Sequence, residues 1–129
     1  MTINDRVVKT FSDLFPHNRS LTGSGVLETF DYIQDNFLPE AQVKSINSGS
    51  QVFDWQVPDE WNVSDAYVMN ANDEKIIDFK DNNLHVMSYS TSIDRVVEKN
   101  ELLEHLYTLP SYPDRIPYRT SYYSKNWGF

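Results

Sequence analysis

The sequence contains no cysteine among its 129 residues. Disulfides, iron–sulfur clusters and thiolate zinc sites are therefore excluded within this chain, and any metal would have to be held by His, Asp and Glu. The lack of cysteine fits a reducing compartment. Because the first residues also carry no apolar signal core, we expect a cytoplasmic protein.

Long hydrophobic runs and clustered basic residues are also missing. No stretch approaches the about 20 consecutive apolar residues that a membrane-spanning helix needs. The net charge is -8 and the 11 Lys and Arg residues are scattered, so most of the surface would repel a phosphate backbone. The sequence thus predicts neither a membrane nor a nucleic acid as partner. Its 40% hydrophobic and 14% aromatic residues are enough to bury a core.

Two helical patterns open the chain. Apolar residues recur every three or four positions from Asp5 to Phe15, which is the spacing of one helix face. Asn4 is the expected N-cap of this helix, and Pro16 closes it. A second pattern follows, in which Ser24 is expected to cap the first turn and Pro39 marks the exit.

After Pro39 the apolar period shortens to about 2, which predicts short strands. The predicted strands span 51–55, 65–70, 75–79 and 84–90. The Asn- and Asp-rich connectors at 70–74 and 80–83 favour turns, so two successive hairpins are expected. A short helix is predicted at 101–107 with Asn100 as its cap. The predicted fold class is therefore α+β, with two N-terminal helices followed by a small, mainly antiparallel β unit that carries one short helix.

The segment FPHNRSLTGSGVLETFDYI at 15–33 resembles the N-terminal signature of the aminopeptidase-like family of zinc hydrolases. Three further segments agree with that family in the same order, and their most specific motifs are FDW-VP-EW, NLHV-SYS and IPY-TSYY-WGF. These segments span 48–68, 75–94 and 105–129. Members of the family carry a peptidase core with an inserted β-rich domain of unknown function, and some are labelled polysaccharide-biosynthesis proteins.

The resemblance implies a domain organisation and a function. Residues 1–42 would be the N-terminal helices of the peptidase-like domain, 43–116 the inserted β-rich domain, and 117–129 a return segment toward the remaining peptidase domain. The family's metal ligands come from downstream segments around a His-Pro-Ser and an Asn-Asp stretch, and this chain has neither. We therefore expect an N-terminal fragment of a zinc-dependent, aminopeptidase-like hydrolase, with zinc and the remaining peptidase domain supplied by the full-length parent.

The residues themselves predict no catalytic group and no metal ligand in this chain. His17, His85 and His105 lie in three separate predicted elements, without HxH or HxxxH spacing. A two-zinc hydrolase needs clustered imidazoles and carboxylates instead. His17 is interpreted as a solvated loop residue that could reach an active-site rim in the complete protein. His85 is interpreted as a structural residue on a strand, and His105 as a surface residue.

Arg19 and the C-terminal aromatics are the candidate binding residues. Arg19 precedes a helix N-terminus, where a guanidinium can clamp a carboxylate of the protein or of a substrate, and the structural clamp is favoured. Tyr122 and Tyr123 are the other candidate substrate-binding residues, while Tyr118 and Trp127 are expected to contact the missing domain. Packing is favoured over a platform that stacks a sugar or a peptide.

Two other functions stay open beside the hydrolase fragment. The chain could be a stand-alone peptide- or carbohydrate-binding module, since its aromatic residues can stack on such ligands. It could also be an oligomerisation domain that forms a homo-oligomer.

Overall fold

The computed structural model describes residues 2–129. The chain forms two compact units: unit 1 ends at Val63, and unit 2 comprises Ser64–Phe129. Each unit contains helical structure and one two-stranded antiparallel sheet. The α+β class predicted from the sequence is confirmed. In residues 2–129 no helix combines the length and the apolar character that crossing a membrane requires.

Unit 1 begins with two helices, α1 (Ile3–Leu14) and α2 (Ser24–Asn36). Thr2 caps α1, because its hydroxyl accepts the Asp5 N–H at 3.2 Å while the Asp5 carboxylate accepts the Thr2 N–H at 2.8 Å. This reciprocal capping box satisfies two backbone donors that the first helical turn leaves unpaired. The prediction of Asn4 as N-cap is wrong, since the helix already begins at Ile3.

The start of α2 is held by a distant segment of unit 1. Gly23 is the N-cap, with φ 113° and ψ -179°, a combination that is nearly restricted to glycine. A Cβ atom at this position would lie 2.5 Å from the Trp61 carbonyl oxygen. The Ser24 N–H donates to Asn62 Oδ1 at 2.7 Å. An amide side chain from later in the chain therefore does the capping that was predicted for Ser24.

The predicted strand at 51–55 is a hairpin instead. β1 (Gln51–Val52) pairs antiparallel with β2 (Trp55–Gln56), and Phe53 and Asp54 form the two-residue turn between them. Phe53 adopts a left-handed φ of 52°, and 95% of its surface is exposed. Phenylalanine is not a residue that favours such turns, so an alternating pattern with Phe at its centre indicated an unbroken strand.

Unit 2 opens with the first of the two predicted hairpins, which is confirmed. β3 (Tyr67–Met69) pairs antiparallel with β4 (Lys75–Asp78). In the turn, Asn70 Oδ1 accepts the Glu74 N–H at 3.1 Å, and Asp73 takes a φ of 61°. The turn thus uses the two properties of Asn and Asp that predicted it: side-chain bonds to the backbone and tolerance of the left-handed region.

The second predicted hairpin is wrong. Residues 80–83 lead into a 3-10 turn at Asn83–His85, and Asn82 Oδ1 caps this turn by accepting the Leu84 N–H at 2.9 Å. Asn82 therefore favours a turn as predicted, but the turn begins a helical segment and not a second strand pair. His85 consequently lies at the end of the 3-10 turn, and its placement on a strand is also wrong.

The core of unit 2 joins residues that are far apart in sequence. The predicted strand at 84–90 has a single parallel bridge, between Ser88 and Thr120. Beside it the Met87 N–H donates to the Gly128 carbonyl at 2.9 Å, and the Ser121 N–H donates to the Ser88 carbonyl at the same distance. The buried residues of the described chain that line this junction are Val86, Met87, Ser88, Ser121, Trp127 and Gly128. The apolar alternation at 84–90 therefore reflects this burial rather than a ladder.

The short helix of unit 2 begins earlier than expected. α3 spans Lys99–Glu104, and its N-cap is Glu98, so the predicted cap Asn100 lies inside the helix. His105 ends the helix as C-cap, with its N–H donating to the Leu102 carbonyl at 2.9 Å. The chain then continues through the Pro-rich segment to the last residues that complete the core.

Candidate functional site

Arg19 lies in the loop between α1 and α2 of unit 1 and is exposed to solvent. Within residues 2–129 it forms no ion pair with a carboxylate, so the favoured structural clamp is not formed there. Its guanidinium has five donors in a planar fork that suits a carboxylate. The substrate-binding role of Arg19 stays a prediction.

His17 in the same loop is bound to α2. Its Nδ1 lies 2.6 Å from Glu28 Oε2, and 27% of the His17 side chain is exposed. A carboxylate oxygen at this distance fixes the orientation of the imidazole ring. His17 thus lies in the predicted loop but is only partly solvated, because its pairing with Glu28 ties the loop to the helix that follows. Its reach to an active-site rim stays a prediction.

The His, Asp and Glu side chains of residues 2–129 do not fit a zinc centre. Nowhere in this part of the chain do three such side chains come together in a way that could hold a metal ion. The His17–Glu28 contact offers two donors, whereas zinc in proteins takes three or four protein ligands. Since the required donor set is not present, no catalytic step can be assigned to a metal held by these residues.

Two structural ion pairs lower the pKa of their carboxyl groups. The Lys9 ammonium and the Tyr32 hydroxyl donate to Asp13, and these hydrogen bonds lower the pKa of that carboxyl group. In the hairpin of unit 2, the bond from Lys75 likewise lowers the pKa of Asp78. The Asp13 carboxylate thus links α1 to α2, whereas the Asp78 carboxylate is bonded within β4 and to the backbone of Lys80.

Two of the predicted binding residues form a cluster at the C-terminal segment of unit 2. Tyr89 and Tyr122 meet edge to face with ring centroids 5.1 Å apart, and Tyr122 and Tyr123 meet in the same manner at 4.8 Å. We call Tyr89, Tyr122 and Tyr123 the tyrosine cluster. Tyr123 ends it with 92% of its surface exposed. The arrangement therefore presents a free aromatic face, which can stack on a sugar ring or a planar group.

The backbone beneath the tyrosine cluster is held by Ser121. Its hydroxyl oxygen lies 2.5 Å from the Tyr89 carbonyl oxygen, to which it donates, and Ser121 itself is buried. Tyr89 has a φ of 61°, a left-handed conformation that is costly for a residue with a Cβ. The partners of Tyr89 come from residues more than thirty positions later, so no local sequence pattern pairs them.

Trp127 is packed inside unit 2. Only 8% of its surface is exposed, its indole stacks on His105 with centroids 3.6 Å apart, and its carbonyl oxygen lies 2.8 Å from His105 Nδ1. The interpretation of His105 as a surface residue is wrong for the same reason. Tyr118 differs from Trp127, since 61% of its surface is exposed. A contact of either residue with a further domain stays a prediction.

An apolar groove on α1 is a feature that the sequence reasoning did not single out as a site. Its volume is about 380 Å³. The groove lies in unit 1 between one face of α1 and the residue that follows α2, and we call it the α1 groove. The residues that line it are Ile3, Arg6, Val7, Thr10, Phe11 and Phe37. The regular spacing of the apolar residues predicted the helix, but spacing alone does not show whether the helix face is covered.

Comparison with known proteins gives a family, a sequence relative and a structural neighbour. A family model described as a domain of unknown function (DUF2172) matches residues 60–129. A protein of Clostridium acetobutylicum, provisionally named as a polysaccharide biosynthesis protein with an aminopeptidase-like domain, is 50% identical over 123 residues, which are 95% of this chain and 28% of the relative.

A crystal structure from the same organism, provisionally titled as that of a peptidase, superimposes with a TM-score of 0.91 at 49% identity. The matched region covers 97% of this chain and 29% of the crystallised chain. The chain therefore spans less than a third of the length of the relatives that it matches.

Proposed function

The chain belongs to the DUF2172 family, and we propose that it is part of a zinc-dependent hydrolase of the aminopeptidase type. One observation carries the proposal: nearly the whole chain aligns, at half identity, with a relative whose name includes an aminopeptidase-like domain. The close superposition on a chain titled as a peptidase supports the same proposal. The motifs that resemble the aminopeptidase-like family lie throughout the aligned region.

In this proposal the remaining peptidase domain provides the catalytic zinc centre, and this chain supplies structure around it. The relatives carry more than two thirds of their length outside the matched region. Zinc would be held there, and the remaining peptidase domain would be the partner of this chain. We place the protein in the cytoplasm, because a chain without cysteine is suited to a reducing compartment.

The proposal is tested with a chimera in which this chain replaces the matched region of the Clostridium relative. We expect the chimera to release amino acids from aminoacyl-anilide substrates, to lose this activity on treatment with a chelator, and to regain it with zinc. The isolated chain is the matched control and should release none. Hydrolysis by the isolated chain would contradict the proposal. The absence of hydrolysis by the zinc-loaded chimera, or by the zinc-loaded relative, would also contradict it.

A second candidate function is the binding of a carbohydrate or a peptide by the tyrosine cluster. The near-complete exposure of Tyr123 favours it, because an aromatic ring exposed to this extent leaves apolar area in water. Stacking of a ligand on this ring would remove that apolar area from water.

This binding function is tested by titrating the isolated chain with oligosaccharides and peptides while its fluorescence is recorded. Tyr123→Ala should abolish a saturable change, whereas Tyr112→Ala should preserve it. Tyr112 is a suitable control because it is also exposed but lies outside the cluster, under the Arg115 guanidinium. Equal signals from the two variants would argue against binding at the cluster.

A further inference from the structure

One face of α1 directs its apolar side chains into solvent. Ile3, Val7 and Phe11 follow one another at intervals of four residues, so they lie on the same side of the helix. Their exposed fractions are 80%, 49% and 73%. A surface helix of a globular protein normally packs such a stripe against the core and turns its polar side to water. Residues 2–129 thus leave the apolar side of α1 without the cover that its pattern predicts.

The α1 groove has a fixed shape because its far wall is anchored. The Phe37 ring meets the Tyr32 ring at a centroid distance of 6.1 Å, and the Arg6 guanidinium lies 5.8 Å above it. The Tyr32 hydroxyl in turn donates to Asp13 of α1 at 2.8 Å. These contacts hold α1 and the end of α2 apart at a set distance, so the groove is a preformed concave surface. Preformed concave apolar surfaces commonly bind apolar groups of a ligand or partner.

The exposed area of the chain is large enough for an extensive interface. The chain exposes 10129 Å². A folded monomer of 15.1 kDa is expected to expose about 7,100 Å², and two wholly separate domains of half that mass would expose about 8,500 Å². The chain exposes more area than even the two separate domains would. This excess is twice the area of about 800 Å² that one partner contributes to a standard interface. The excess therefore does not depend on how the two units are arranged.

We propose that the α1 groove is the docking surface for the remaining polypeptide of the aminopeptidase-like parent, which inserts apolar side chains between Phe11 and Phe37. This inference rests on the proposed function. The length of the relatives supports this occupant, since more than two thirds of each lies outside the matched region. The charge of the chain disfavours a second copy, because association would bring together two molecules of net charge -8.

The absence of cysteine allows a direct test by thiol labelling. Phe11→Cys places a thiol in the α1 groove, and Ser12→Cys places a matched thiol on the opposite side of the same helix. Each variant is made in the isolated chain and in the chimera with the Clostridium relative. Labelling by N-ethylmaleimide is followed by mass spectrometry of the peptide that contains the thiol. Position 11 should react at least about tenfold more slowly in the chimera than in the isolated chain, since access then requires local opening.

The control position and three further outcomes decide between explanations. Position 12 should react at similar rates in both proteins, and equal rates at position 11 would overturn the proposal. Protection of position 11 that grows with the concentration of the isolated chain would assign the groove to a second copy instead. A chimera that fails to fold, while the chain and the relative both fold, would also overturn it.

The proposed function can fail separately. Protection at position 11 in a chimera that hydrolyses nothing supports the docking surface and contradicts the hydrolase. Hydrolysis by a chimera in which position 11 stays reactive supports the hydrolase and contradicts the docking surface.

Discussion

Phe53 is a residue whose side chain does not suit its backbone. It occupies the left-handed region at the tip of the β1–β2 hairpin, where its Cβ is unfavourable, and its exposed ring gains almost no packing in this chain. We expect Phe53→Asn to raise the free energy of unfolding by about 1 kcal/mol, because Asn tolerates this region. Urea denaturation of the isolated chain measures the change. Phe53→Ala removes the ring but keeps the strain, so an equal gain in that variant would refute the explanation.

Asp13 links the packing of α1 and α2 to pH. Hydrogen bonds from Lys9 and Tyr32 lower its pKa in the folded chain. Its contribution to stability is therefore complete above the ordinary Asp value of about 3.9 and is lost as the pH falls through the lower folded value. We expect Asp13→Asn to reduce the drop in melting temperature between about pH 5 and pH 2.

The pH prediction has a control on the neighbouring helix. Asp35 is exposed near the end of α2. Asp35→Asn should therefore show the same acid-induced drop in melting temperature as the unsubstituted chain. Asp5 and Asp78 also have lowered pKa values and lose their contributions over the same range, so some drop should remain in every variant. Identical melting curves for Asp13→Asn and the unsubstituted chain at all pH values would contradict the contribution of Asp13 to acid-induced unfolding.

At the scale of the elements, local signals predicted what local interactions determine. Both helices of unit 1 were placed correctly because their apolar spacing and flanking prolines act within one segment, and their starts differ by two residues or fewer. The β3–β4 turn was found for the same reason. The strand predicted at 84–90 and the surface position predicted for His105 failed, because both depend on residues 119–129, which no local pattern brings near them.

Gly23 shows how one position controls the start of an element. Gly23→Ala places a Cβ against the Trp61 carbonyl and forces a nearly glycine-only conformation, so we expect a loss of about 1–3 kcal/mol or more in the free energy of unfolding. Gly49 is the control, since it also has a positive φ but has no atom closer than 4.0 Å to an added Cβ. Gly49→Ala should cost less. Urea denaturation compares the two, and an equal cost would show that the contact with Trp61 is not important.

At the scale of the whole molecule, the large exposed area has a thermodynamic consequence. An unfolded chain of 15.1 kDa exposes about 22,000 Å², so folding buries only a little over half of it, against about two thirds in an ordinary domain of this size. Because the urea m-value scales with the area exposed on unfolding, we expect the isolated chain to show about four-fifths of the usual value. An m-value at or above that of ordinary domains of this length would contradict this exposed area.

The closure of unit 2 by its final residues also bears on synthesis. The Met87 N–H donates to the Gly128 carbonyl and the Tyr107 N–H donates to the Phe129 carbonyl, so these two bonds form only when the last residues are in place. A nascent chain grows from its N-terminus and folds its first domains first. Unit 1 can therefore fold while the chain is still being synthesised. The core that begins at Val86 cannot form until Phe129 has left the exit tunnel, so its residues stay accessible to chaperones until then.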